Sequence, residues 1–143
     1  MSQISETMKK EITTLIESAK ITYLSSVDDK GYPNVKAVLS LQQDGLFVHY
    51  FSTHLSSKKV AQVKANPKCS VYFCDEEQFK GLMLVGDAEV CTDKHHKSLL
   101  WREGFERYYP KGIDDENYCV IKFTANKGNY YHGQDNCDFN VEV

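Results

Sequence analysis

Between Tyr50 and Pro67 the chain reads YFSTHLSSKKVAQVKANP, and the groups that could do chemistry crowd into it: hydroxyls at Thr53, Ser56 and Ser57, then paired cations at Lys58-Lys59. The pattern predicts a short helix here, N-capped by a hydroxyl, with Val60, Ala61 and Val63 on its apolar side and Asn66-Pro67 as its end. Two ammonium groups in a first helical turn oppose the macrodipole, where the leading backbone N–H groups already lack partners. A bound phosphate would reverse that conflict by accepting from the N–H groups, the hydroxyls and the ammonium groups together. The stretch reads as an anion cradle. A pair of solvated surface lysines is the alternative that this feature alone leaves open.

Other chemistry is absent from the sequence. There is no G-x-G-x-x-G, and Gly81 to Gly86 is followed by Asp87 where a phosphate loop would carry Lys-Ser/Thr. No G-x-S-x-G or H-E-x-x-H occurs, and Asp114-Asp115-Glu116 lies in turn-like text. Catalytic residues are therefore not assigned, and any reaction would need a cofactor with its own chemistry. His95 and His96 are adjacent and cannot share a helix face, so no metal centre is expected.

The 143 residues carry a net charge of -3 with acids and bases interspersed, which argues against a nucleic-acid or membrane-surface partner. The five cysteines form no C-x-x-C pair. With no leader-like segment they indicate reduced thiols and a cytoplasmic protein, four of them as core residues and Cys137 as the exposed one. One domain spanning 1-143 is expected.

Positioning the cradle falls to strands. Ser5 to Ala19 has helical periodicity, Ile21 to Val27 and Asn34 to Leu41 form a hairpin, and Gln43-Asp44-Gly45 turns into Leu46 to Ser52. In the second strand Val35, Ala37 and Leu39 face one way and Lys36 and Val38 the other. Beyond the cradle, Cys69 to Cys74, Leu82 to Cys91, Tyr118 to Thr124 and Asn129 to His132 read as strands. A helix capped at Thr92-Asp93 runs through Trp101, and Gly133 to Val143 reads as a polar tail. Short antiparallel strands without regular strand-helix alternation make the chain mainly β, a β-barrel with α-helices.

Taken in order, Gly31 to Lys36 (GYPNVK), Thr53 to Lys59 (THLSSKK) with its helix to Pro67, Leu82 to Ala88 (LMLVGDA), Trp101, Tyr109 to Gly112 (YPKG) and Tyr130-Tyr131 resemble the pyridoxamine 5'-phosphate oxidase-like superfamily, in particular its general stress protein 26 branch. The resemblance spans nearly the whole chain. It implies a six-stranded antiparallel Greek-key split barrel of the FMN-binding type, paired as a homodimer with the flavin at the interface. It implies that Lys36, Ser57, Lys58 and Lys59 hold the FMN phosphate and that Ser52 and Thr53 contact the phosphate end or the flavin. Backbone groups of Val38 and Leu39 would border the ring, and Trp101, Tyr109 or Tyr131 would reach a ring on the partner chain. The implied activity is oxidoreductase transfer of electrons or a hydride through FMN, with NADH or NADPH as a possible donor.

Departures narrow this. Leu41 stands where the oxidases have a substrate-phosphate lysine, their C-terminal Arg-x-His has no match here, and Gly81 replaces a flavin-contacting glutamine. Oxidation of vitamin B6 is not expected. Lysine replaces arginine at Lys36 and Lys58, giving up bidentate phosphate geometry. A non-catalytic flavin carrier or redox sensor remains an alternative. So does a binder of haem or a deazaflavin, with His49, His54 and His132 as candidate axial ligands.

Overall fold

A computed structural model describes residues 4–141. Helix α1 (Glu6–Ser18) opens the chain, capped where Ser5 Oγ accepts from the Met8 N–H at 3.1 Å. Strands β1 (Ile21–Val27), β2 (Pro33–Leu39), β3 (Gln42–Asp44) and β4 (Val48–His54) follow, then α2 (Lys58–Ala65). The remainder is β5 (Lys68–Asp75), β6 (Lys80–Cys91), α3 (Lys94–Leu100), two 3-10 turns (Phe105–Arg107 and Gly112–Asp114), β7 (Tyr118–His132) and β8 (Asp135–Asn140).

All strands pair antiparallel in one sheet of order β2-β1-β5-β6-β7-β4-β3, with β8 also on β7. Strands β2 and β3 stand at opposite ends of that order, yet only Ser40 and Leu41 separate them in sequence. Leu39 and Gln42 are three extended steps apart, at most about 11 Å, so the sheet must curl until its ends approach. The β2 and β3–β4 ends meet without a hydrogen-bonded ladder, and the barrel is split along that line. Curling is eased where β6 shifts register at Val85/Gly86 against β7. A Cβ on Gly86 would stand 2.0 Å from the Thr124 carbonyl oxygen, so only glycine fits there.

The core fills the curl with Leu24, Val71, Phe73, Leu82, Leu84, Ile121 and Phe123, covered by Ile12, Leu15 and Ile16 of α1 and by Val60 and Val63 of α2. A second cluster, Tyr50, Leu100, Phe105, Tyr109, Tyr118 and Val120, lies under α3 and the turn that follows it. Among the described residues no helix is long and apolar enough to cross a membrane.

Among the described residues the barrel has eight strands instead of six. Strand β3 takes in Gln43 and Asp44 of the stretch read as a turn, and β8 lies in the text read as a tail. Both are too polar to declare themselves: β8 buries Phe139 and exposes most of its other residues. Strand β7 runs unbroken across Ala125 to Gly128, where small and polar residues suggested a gap. Cys69, Cys91 and Cys119 are core residues, but Cys74 is exposed and Cys137 half-buried, because Cys74 falls on the outer face of β5.

Candidate functional site

Strand β4 runs two residues further than its apolar text suggests, so Ser52, Thr53 and His54 belong to its last turn of pleat, opposite Val120, Cys119 and Tyr118 of β7. The chain then turns through Leu55 and Ser56, whose N–H groups donate to the Asn117 carbonyl at 2.8 Å and the Asn117 side chain at 2.9 Å. That anchorage delivers Ser57 as the N-cap of α2 with extended backbone (φ -72, ψ 154). A capping serine usually turns its hydroxyl onto an N–H of the first turn. Ser57 does not: its Oγ is buried and, like Ser52 Oγ, has no hydrogen-bond partner among the described residues. Ser52 Oγ does lie close enough to the Tyr118 phenol to act on it, although that phenol donates to the Lys97 carbonyl at 2.8 Å. Ser57 is thus the clearer of the two orphans. An unpaired buried hydroxyl costs about 1–3 kcal/mol.

The neighbouring charge is unbalanced too. The first turn of α2 holds no acidic residue. Lys59 is half-buried, and both its desolvation and the nearby Lys36 ammonium of β2 lower its pKa. Lys36 and Lys59 form no ion pair among the described residues. Two cations that disfavour each other beside unpaired hydroxyls can be reconciled by one polyvalent anion that accepts from all of them.

This corner opens into a cleft of about 310 Å³ along the split of the barrel. Ala37, Val38 and Leu39 of β2 and Leu41 form one wall, Ser52, Thr53 and His54 of β4 the floor, with Lys59 at one end and Phe105, Tyr108 and Tyr109 opposite. Strand β2 ends the sheet order, so one of its edges carries backbone groups with no strand partner. The His54 Nε2–H donates to the Tyr108 carbonyl at 2.9 Å and its ring lies 4.8 Å from that of Tyr109, which fixes the aromatic segment against β4. Arg102 ties the same segment to the β2–β3 corner by donating to the carbonyls of Leu99, Trp101 and Leu41.

Of the residues named from sequence, Val38, Leu39, Ser52, Thr53 and Lys59 share the cleft, and Lys36 and Ser57 adjoin it at Lys59. Lys58 does not line it. Lys58 is exposed and borders a separate cleft with Asp28, Asp29 and Gln62, because adjacent helical positions diverge by about 100°. Tyr131 lies on the outer face of β7, bonded to the Tyr72 hydroxyl at 2.5 Å and packed 5.5 Å from the Phe79 ring, away from this chain's cleft. Trp101 is packed among Phe105, Tyr109 and Tyr118. Tyr109 lines the chain's own cleft, together with Phe105 and Tyr108, which sequence reasoning passed over; the run FERYY was the signal.

Among the haem-ligand candidates, His49 is buried with Nε2–H donating to the Leu46 carbonyl. His132 is bonded to Glu11, and His54 alone borders the cleft.

A family profile described as Pyridoxamine 5'-phosphate oxidase matches residues 8–132. The chain belongs to that family. Its structure is similar to that of a protein related to general stress protein 26, of the pyridoxinephosphate oxidase family, from Clostridium acetobutylicum, at 43% identity, TM-score 0.87, 96% of this chain and 97% of that one. General stress protein 26 from Bacillus anthracis shares the fold at 24% identity, TM-score 0.74, 90% of this chain and 96% of that one. So does a heme binding protein from Mycobacterium smegmatis at 14% identity, TM-score 0.74, 98% of this chain and 60% of that one. No curated protein matches the chain.

Proposed function

We propose that the protein is a homodimeric FMN-binding oxidoreductase of the general stress protein 26 type. The observation that carries this is the corner where Ser57 buries an unpartnered hydroxyl beside the Lys36–Lys59 cations. It has the donor set a phosphate monoester needs, and the residues fit FMN. Lys36, Lys59, Ser57 and the first N–H groups of α2 would hold the phosphate, with Lys58 contributing only long-range charge. The unpaired edge of β2 at Val38 and Leu39 offers donors and acceptors to the polar edge of a flat ring, and Phe105 and Tyr109 supply an apolar face. FMN, when bound, supplies the electron or hydride chemistry that these side chains lack.

The outer face of the sheet supports pairing with a second copy. Ile21 stands opposite Leu39, and Tyr23 opposite Tyr72, itself opposite Met83, so exposed apolar side chains form a stripe that runs into the cleft through Leu39. Leu39 and Val35 are 48% and 64% exposed. On that reading Tyr131, which shares this face, serves the partner's site.

Protein loaded with FMN and mixed anaerobically with NADH or NADPH tests the activity: bleaching within turnover time supports an oxidoreductase, and a persistent yellow colour shows a carrier. A haem reading draws on His54 in the cleft; a Soret band in purified protein would favour it over FMN.

A further inference from the structure

We infer that Cys91, Asp93 and His96 form a binding site for a zinc-class divalent cation, separate from the flavin cleft. Their ligand atoms all lie within 4.8 Å of one another. The three come from two fixed backbone ends. Cys91 closes β6, held in register with Val120, while Asp93 is the N-cap of α3 and His96 sits in its first turn. Asp93 accepts from the His96 N–H at 3.2 Å, and the His96 Nδ1 to Asp93 Oδ1 distance is 2.8 Å. Those two bonds alone would make a helix cap. A cap gives no reason for a thiol to converge on the same point, and the thiol is what turns the cap into a ligand set.

Tetrahedral zinc with bonds of about 2.0–2.3 Å spaces its ligand atoms about 3.3–3.7 Å apart. With all three ligand atoms within 4.8 Å of one another, side-chain rotation brings them to that spacing. Cys91 is buried against the cluster under α3, whereas the side chains of His96 and Asp93 are 22% and 54% exposed. The arrangement has a dry thiolate side and a wet side, three protein ligands with a fourth position open to water.

Charge agrees. A positive ion at a helix N-terminus is disfavoured by the dipole, but thiolate and carboxylate together neutralise a divalent ion, and Glu89 beside Cys91 offsets Lys122. A thiol that ligates the ion releases its proton to the solvent as the metal–sulfur bond forms. A bound ion would staple the end of β6 to the start of α3.

The probe is cobalt(II), added to reduced, flavin-free full-length protein. A thiolate-to-cobalt charge-transfer band should appear and saturate at one ion per chain. Cys91→Ser should abolish it, and Cys74→Ser, at an exposed thiol elsewhere, should leave it intact. His96→Asn should weaken cobalt at least about tenfold, the least that losing even a supporting group costs. Zinc should raise the melting temperature of the unmodified protein and leave that of Cys91→Ser unchanged. Absence of the band, its survival in Cys91→Ser, or unchanged affinity in folded His96→Asn would each overturn the site.

Discussion

Replacing Lys59 with methionine keeps most of the aliphatic stem and removes one positive charge from the corner beside Ser57. In the flavin-free protein that charge is a burden. Desolvation and the Lys36 ammonium lower its pKa, and a base whose folded pKa is depressed penalises the fold at every pH below that value, the penalty fading only as pH rises through it. Lys59→Met should therefore raise the melting temperature of the flavin-free protein at neutral pH. Toward FMN the sign reverses. A charge-assisted contact to phosphate contributes about 1.5–3 kcal/mol, which weakens FMN by roughly 10- to 150-fold. Quenching of FMN fluorescence gives the affinity, and thermal unfolding without FMN gives the stability. The opposed signs are the test, because ordinary damage to packing lowers both quantities. Unchanged affinity, or a fall in both, would refute the reasoning. Lys36→Met should act in the same directions more weakly, since Lys36 is exposed and its field is screened.

Two further perturbations probe the frame around the site. Phe139 of β8 is 2% exposed, packed over Gly128 and 6.0 Å from the Phe47 ring; Phe139→Ala should cost about 3–5 kcal/mol in urea unfolding, and a loss below about 1 kcal/mol would mean that β8 is peripheral. Glu11 of α1 accepts from the Tyr130 hydroxyl and from His132 Nδ1, each at 2.9 Å, and lies 3.6 Å from Lys80 Nζ. These partners, Tyr130 foremost, hold its pKa below the ordinary 4.5, so the stability it contributes is present above that pH and is lost as pH falls through the folded value. Glu11→Gln should melt below the unmodified protein at pH 7, with the gap closing in acid; a gap independent of pH would show that the charge is irrelevant.

How much of this could be read beforehand differs between elements. Helix α1 announced itself through the apolar periodicity of Ser5 to Ala19, and α3 through Asp93, which caps as its type predicts. The hydroxyl-lysine stretch marked α2 and its cradle, but no sequence rule says that Ser57 leaves its own cap unmade, since that depends on the Asn117 anchorage some sixty positions on. Lys58 and Lys59 look equivalent as letters; one residue of helical rotation sends Lys58 toward Asp28 and Lys59 into the cleft. Strands β3 and β8 stayed hidden because their partners supply the apolar surface and they supply mainly backbone. Cys91 and His96 meet only because β6 ends and α3 begins within three residues, a juxtaposition that the adjacent histidines obscured.

On the proposed function, the Lys36, Ser57 and Lys59 corner recognises a flavin by its phosphate. Parallel fluorescence titrations with FMN and with riboflavin, which differ only in that group, test it most directly. FMN should bind saturably and at least about tenfold more tightly than riboflavin, the worth of one charge-assisted contact. Equal affinity for the two, or no perturbation of FMN at all, would contradict it.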